Sequence, residues 1–166
     1  MSDIEWVPSL VLLEDSGGDW EAYLADLYRY FQRDFVRDKP VFNGTRLGLK
    51  KHPIIQNKEA TFWHFISEGE VEDERLPNFR RCERIRWPRA IIDHAPLSGE
   101  SNGIKVWKSK RKNENRISIW FEAENYFVVL AERKGYLLPW TAYLIEYSNQ
   151  KRKKQKEYDN YMKAPW

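Results

Sequence analysis

The residues of this chain best suited to chemistry are one histidine, a crowd of arginines and lysines, and two hydroxyls on one segment. His64 stands in Thr61-Phe62-Trp63-His64-Phe65. Arginines gather at Arg80, Arg81, Arg84, Arg86 and Arg89, and cations recur from Lys105 and Lys108 to Arg116. Thr141 and Tyr143 lie in Trp140-Thr141-Ala142-Tyr143, where strand alternation points both to one side. Soon after comes the run Lys151-Arg152-Lys153-Lys154-Gln155-Lys156. Such a kit suits cleavage of an RNA phosphodiester without a metal. A base takes the 2′-hydroxyl proton, cations steady the pentacoordinate phosphate, and an acid protonates the departing 5′-oxygen.

Other chemistries lack their residues. Cys82 is the single cysteine, so neither a disulfide framework nor a cysteine zinc site is expected. His52, His64 and His94 lack metal-ligand spacing, and no cofactor is implied. There is no P-loop, dinucleotide fingerprint, nucleophile elbow, zinc-deaminase or His-Glu-x-x-His signature. No apolar run approaches the roughly 18 residues of a membrane helix, and Asp3 and Glu5 are wrong for the basic start of a signal peptide. A cytoplasmic setting without a membrane partner is the expectation.

Charge points to the partner. The net charge is only +3, yet residues 1–36 carry eight acids against Arg29 and Arg33, so the positive excess falls later in the chain. A dipolar molecule of this kind orients toward a polyanion. RNA is the expected partner, and the acidic N-terminal region is a surface for a protein partner or inhibitor.

These residues need elements to position them. With 166 residues, 42% of them apolar, the chain can bury a core as one domain, 1–166. Residues 5–13 read as a strand ending at Asp15-Ser16-Gly17-Gly18. Asp19 is placed to cap an amphipathic helix over 20–36, on which Trp20, Tyr23, Leu24, Leu27 and Phe31 share a face. Asn43-Gly44 joins a hairpin between Val41-Phe42 and Thr45 to Leu49. Residues 60–66 read as a short aromatic strand or loop carrying His64, followed by an acidic loop over 68–74. Residues 79–94 read as a helix kinked at Pro88. Segments 104–108, 116–121, 126–132 and 137–147 are rich in β-branched and aromatic residues and joined by tight turns, an antiparallel meander. Ser148 is then placed to cap a basic helix to about 163. The class is α+β, a meander packed with N-terminal and C-terminal helices.

The order of several motifs resembles a known family. Thr61-Phe62-Trp63-His64-Phe65 is followed by Arg80-Arg81-Cys82-Glu83-Arg84-Ile85-x-Trp87 and by Arg116-Ile117-x-Ile119-Trp120. Then come Tyr126-Phe127-Val128-Val129-Leu130-x-x-Arg133 and Trp140-Thr141-Ala142-Tyr143. This pattern resembles the phage-associated branch of the barnase–EndoU–colicin–RelE ribonuclease superfamily over about 58–158, with 1–57 as an extension. The resemblance implies a small α+β endoribonuclease, often a toxin, that cuts RNA to a 2′,3′-cyclic phosphate without a metal. It also implies His64, Arg84, Arg116, Arg133, Thr141 and Tyr143 as catalytic candidates. Arg80, Arg81, Lys105, Lys108, Lys151, Arg152, Lys153 and Lys154 are the candidates for phosphate contact.

Blander readings stand beside these. A histidine among aromatics is also what a hydrogen-bonded, half-buried residue looks like. Arginines one turn apart on a helix also suit a solvated face, and Thr and Tyr are good strand formers wherever they stand. The alternatives to an enzyme are a non-catalytic nucleic-acid or phage-associated binding protein on the same fold, and a module whose acidic N-terminal helix docks a partner protein.

Overall fold

Five antiparallel strands carry the second half of the chain: β5 (Gly99–Ser101), β6 (Ile104–Arg111), β7 (Glu114–Phe121), β8 (Tyr126–Arg133) and β9 (Tyr136–Leu144). They run in sequence order β5-β6-β7-β8-β9, a meander closed by tight turns. The computed structural model describes residues 4–166. Short hairpins β1 (Val41–Phe42) with β2 (Thr45–Arg46), and β3 (Ser67–Glu68) with β4 (Leu76–Pro77), complete the strands. The helices are α1 (Trp20–Phe31), α2 (Ala60–Ile66), α3 (Phe79–Glu83), α4 (Trp87–His94) and α5 (Ser148–Lys163). The class is α+β.

Alternation along the strands divides the sheet's two faces. Val106, Ile119, Val128 and Ala142 are cross-strand neighbours on one face and join the main core. That core also holds Tyr23, Leu27 and Phe31 from α1, Phe62 and Phe65 from α2, and Ile91 from α4. Full burial of such a side chain contributes about 1.5–3 kcal/mol, so residues before 58 supply a large share of the core. On the other face Trp107, Trp120, Phe127 and Val129 pack under Tyr158 and Tyr161 of α5. The helix covers only part of this second face.

Several elements differ from the sequence reading, each for a visible reason. Residues 8–12 form no strand. Val11 instead makes isolated bonds, its N–H to Glu83 O at 2.9 Å and its carbonyl to the Tyr23 hydroxyl at 2.7 Å, with no neighbouring strand to ladder against. Asp19 does cap α1, accepting from Ala22 N at 2.9 Å, but the helix widens into a π-helical turn over Gln32–Arg37. The segment around His64 is a helix rather than a strand or loop. Ala60, Thr61, Phe62, His64, Phe65 and Ile66 are all buried on it. Its aromatics pack against α1 and its extension, Phe62 edge-on to Phe31 at 5.4 Å and Phe65 tilted against Phe35 at 5.2 Å between ring centroids. Tertiary packing outweighs the strand preference of aromatics here.

The arginine-rich segment is two helices, broken at Arg84–Arg86. Pro88 lies in the first turn of α4, where its missing N–H costs no bond and no preceding turn need be accommodated. Tyr147, not Ser148, occupies the cap position of α5 and gives no side-chain cap. The last strand ends at Leu144. β5 carries no strand signal in its Gly-Glu-Ser sequence and forms by pairing with β6.

β9 is an edge strand, and its edge is occupied in two places. Gly48 N donates to Leu137 O at 2.7 Å. A Cβ on Gly48 would lie 2.9 Å from the Tyr136 ring, so only glycine permits this approach. Further along, the register slips between Val129↔Thr141 and Leu130↔Pro139, leaving Trp140 in a bulge. Bulges re-aim backbone groups at sheet edges and beside active sites, and this one presents the Trp140 carbonyl to α2.

Candidate active site

The uncovered half of the second sheet face is the floor of a cleft of about 820 Å³. Strand pairing fixes that floor: Ser109 opposes Arg116, Ser118 opposes Val129, and Thr141 opposes Val129 from the other side. The walls come from three directions. His64 and the segment linking β3 to β4 form one side, Arg81 closes an end, and Lys153, Lys154 and Glu157 of α5 face them. Seven cations line the space (Arg75, Arg81, Lys110, Arg111, Arg116, Lys153, Lys154) against four carboxylates (Glu68, Glu70, Glu72, Glu157). The local balance favours an anion.

His64 is 5% exposed and locked at both ring nitrogens. Nδ1 lies 3.1 Å from Trp140 O and Nε2 lies 2.8 Å from Glu72 Oε1. A carbonyl only accepts, so Nδ1 donates to it, and the Glu72 carboxylate likewise accepts from Nε2; the two bonds fix the ring's orientation. Glu72 caps the other nitrogen. Burial works against the Glu72 charge, but the His64 hydrogen bond and the nearby charges of His64, Lys50 and Arg75 outweigh it. Its carboxyl is held below the ordinary range. Its second oxygen, Oε2, is buried without a partner.

Two arginines anchor this wall. Arg81 donates through one terminal nitrogen to His64 O at 3.1 Å and Ser67 O at 2.6 Å, filling acceptors at the C-terminal end of α2. Its guanidinium lies 5.5 Å from the Tyr143 ring centre, and its Nε is buried without a partner. Arg75 grips the same segment through Ser67 Oγ at 3.0 Å, Gly69 O at 2.6 Å and Ser67 O at 2.5 Å. The segment between β3 and β4 is therefore a strap tied at its root.

On the floor, Arg116 lies over Trp140, 5.1 Å from the ring centre, and donates to Glu114 Oε2 at 2.6 Å. Thr141 is half-buried beside it and lines the cleft. Tyr143 also lines it; burial raises its hydroxyl above the ordinary range, against the opposing effect of Arg81. Lys154 sits 4.4 Å from the Phe127 ring centre. Burial lowers its ammonium below the ordinary range, with Glu157 acting the other way.

The sequence candidates thus divide. His64, Arg81, Arg116, Thr141, Tyr143, Lys153 and Lys154 share the cleft. Arg80 lines a smaller adjoining hollow. Arg84 and Arg133 do not reach it. Arg84 bonds Arg80 O at 3.1 Å and lies over Trp87, 5.1 Å from the ring centre. Arg133 bonds the far oxygen of Glu114 at 2.5 Å, so its link to the cleft runs through the carboxylate that holds Arg116. Arg86 lies over Tyr30, and Arg89 pairs with Asp93 within α4 and ties that helix to the α1 extension through Asp34 O. The arginine cluster therefore splits between two sides of α3 and α4.

Lys105 is buried beneath α5, bonding Glu122 at 2.9 Å and Gln155 at 2.7 Å. Lys108 pairs with Glu132 at 3.6 Å and borders a different hollow. Lys151 and Arg152 are on α5 outside the cleft lining.

Sequence reasoning missed Glu72, Arg75, Lys110 and Arg111. Glu72 stands in the acidic loop over 68–74 and Arg75 directly after it, and only the fold brings this stretch against His64. Among the described residues, no three His, Cys, Asp or Glu side chains gather as a metal site, and no helix is long and apolar enough to cross a membrane. No family model, curated protein or solved structure matches the chain.

Proposed function

We propose that this chain is a metal-independent endoribonuclease, a member of the superfamily its motifs resemble, with the cleft as its active site. The observation that carries the reading is the convergence of His64, Arg81, Arg116, Thr141 and Tyr143 from four separate segments around one cationic hollow. In this mechanism RNA enters and Glu72 gives way, carrying off the Nε2 hydrogen on its carboxylate and so freeing His64 Nε2 as an acceptor. Nδ1 stays bonded to Trp140 O, so Nε2 is the nitrogen that accepts the 2′-hydroxyl proton. The 2′-oxygen attacks phosphorus, Arg116 and Thr141 steady the added negative charge, and the 5′-oxygen leaves with a proton. Lys154 lies across the cleft and has a proton to give.

The test is incubation with total RNA in EDTA, followed by end-group analysis. The expected products carry a 2′,3′-cyclic phosphate and a free 5′-hydroxyl. Cleavage that requires added Mg²⁺, or products with a 5′-phosphate, refutes the mechanism.

A second reading has its own observation. Both ring nitrogens of His64 are occupied and the residue is 5% exposed. A histidine so placed also serves purely to fix the strap. The cleft is then a non-catalytic RNA-binding site, and salt-sensitive binding without any cleavage is its signature.

A further inference from the structure

The cleft does not end where its central hollow does. At one end Arg111, Arg116 and Trp140 are shared with a second hollow of about 330 Å³ that continues to Lys112. At the other, Glu68, Arg81 and Tyr143 are shared with a third of about 340 Å³, lined also by Arg80 and Tyr147. The three form one trench across the sheet and past the start of α5. Its aromatic groups are spaced along it. Trp140 stands half-buried between the first two compartments, and Tyr147, 63% exposed, stands at the far end.

We infer that the trench holds an extended single strand of RNA, with the scissile phosphate and the two nucleotides it joins in the middle compartment and one further nucleotide at either end. This rests on the proposed RNA-cleaving site and assigns its substrate class. Each end compartment has about the smallest volume that accommodates a small ligand, roughly 300 Å³, which suits one nucleotide and not more. Arg111 and Lys112 at one end, and Arg80 at the other, extend the cation path to both flanks. Duplex RNA hides its base faces in the stack, whereas a single strand can lay a base on an aromatic ring. Among the described residues the Tyr147 hydroxyl has no hydrogen-bond partner, and the side chain turns most of its surface outward, as a stacking platform requires.

The experiment measures binding by fluorescence anisotropy with 2′-O-methyl oligoribonucleotides, which cannot be cut by 2′-hydroxyl attack. Probes of two, four, six and ten nucleotides are compared with a ten-base-pair duplex of the same sequence. Affinity should climb steeply from two nucleotides to four and flatten by six, with the duplex weakest. Tyr147→Ala should weaken the six-nucleotide probe roughly 5- to 100-fold, the range for one lost stacking contact, and leave the dinucleotide unchanged. Tyr147→Phe, which keeps the ring, should restore the loss; thermal melts show that both variants fold.

Binding that does not change beyond two nucleotides, or a duplex that binds as tightly, overturns the trench while leaving RNA binding at the central hollow intact. A Tyr147→Ala loss equal for every probe length also overturns it. Failure of every probe to bind, at low salt, refutes the RNA reading itself together with the trench.

Discussion

His64→Ala tests whether the locked histidine is a catalyst or a tie. The parent side chain makes a 3.1 Å bond to Trp140 O and a 2.8 Å bond to Glu72. A neutral hydrogen bond contributes about 0.5–1.5 kcal/mol and one to a carboxylate about 1.5–3. The Glu72 side chain is 33% exposed, so solvent screening puts its bond near the lower limit. The stability loss is then about 2–3 kcal/mol. A domain stable by about 5 kcal/mol or more retains at least about 2 kcal/mol, and over about 95% of molecules stay folded. Unfolding therefore lowers the rate by only a few per cent, whereas loss of the base lowers it about 10²- to 10⁴-fold. The assay is the initial rate on a fluorophore–quencher RNA in EDTA, divided by the folded fraction from a urea melt in the same buffer. His64→Gln, which keeps an amide donor for Trp140 O, should regain part of the stability and none of the rate. A rate per folded His64→Ala molecule within about threefold of the parent, far from the effect of a lost base, would show that the reasoning is wrong.

Three further outcomes are expected. Arg116→Ala should reduce cleavage about 10²- to 10³-fold, whereas Arg84→Ala should leave the rate per folded molecule unchanged, because Arg84 packs on Trp87 outside the cleft; equal losses in both variants would contradict the placement. Replacing Lys153 and Lys154 with Gln should lower the magnitude of the slope of log K against log salt by about 1.4 on single-stranded RNA, at about 0.7 per phosphate contact; an unchanged slope excludes them from the phosphate path. The Glu72 carboxyl is depressed in the folded state, so its contribution is complete above the unfolded value of about 4.3 and is lost as pH falls through the lower folded value. Amide exchange of the strap between β3 and β4 should accelerate over that acidic window and not above pH 5, and Glu72→Gln should abolish the pH dependence.

The meander was legible because each of its four long strands is a β-branched or aromatic run bounded by turn residues. Asn125, Gly135 and Gly44 each sit at a positive φ where the sequence places a turn. The helix carrying His64 was not. Seven residues dense in aromatics fit a strand as well as a helix, and only contact with Phe31 of α1 and Phe35 of its extension decides between them. Charge was legible as an amount and not as a direction. Lys105 and Lys108 look like neighbours of the same kind, yet strand alternation sends one beneath α5 and the other to the opposite face. The same limit hid Glu72. Its partner stands eight residues away across a helix end, and nothing in an acidic loop announces that one carboxylate will turn inward.

The position of His64 follows from the whole chain rather than from its own segment. α2 has only seven residues, too few to persist alone, since isolated helices shorter than about 12–15 residues are marginal. Its buried face is held by Tyr28, Phe31 and Phe35 of α1 and its extension. Tyr28 also bonds Glu59, the residue preceding α2, at 2.6 Å. On the approach to α2, the Lys50 amide donates to the Thr61 hydroxyl at 2.7 Å. Two residues earlier, the Gly48 amide holds the edge of β9 at Leu137. The bulge at Trp140 then offers the ring its carbonyl from the far side. Residues before 58 therefore fix one wall of the cleft. The segment after α2 fixes the cap on the ring, because Arg75 and Arg81 both tie the strap to Ser67. The histidine is thus placed from three sides and capped by one carboxylate. In the proposed mechanism only Glu72 and the Nε2 hydrogen must leave, with the bond to Trp140 left in place.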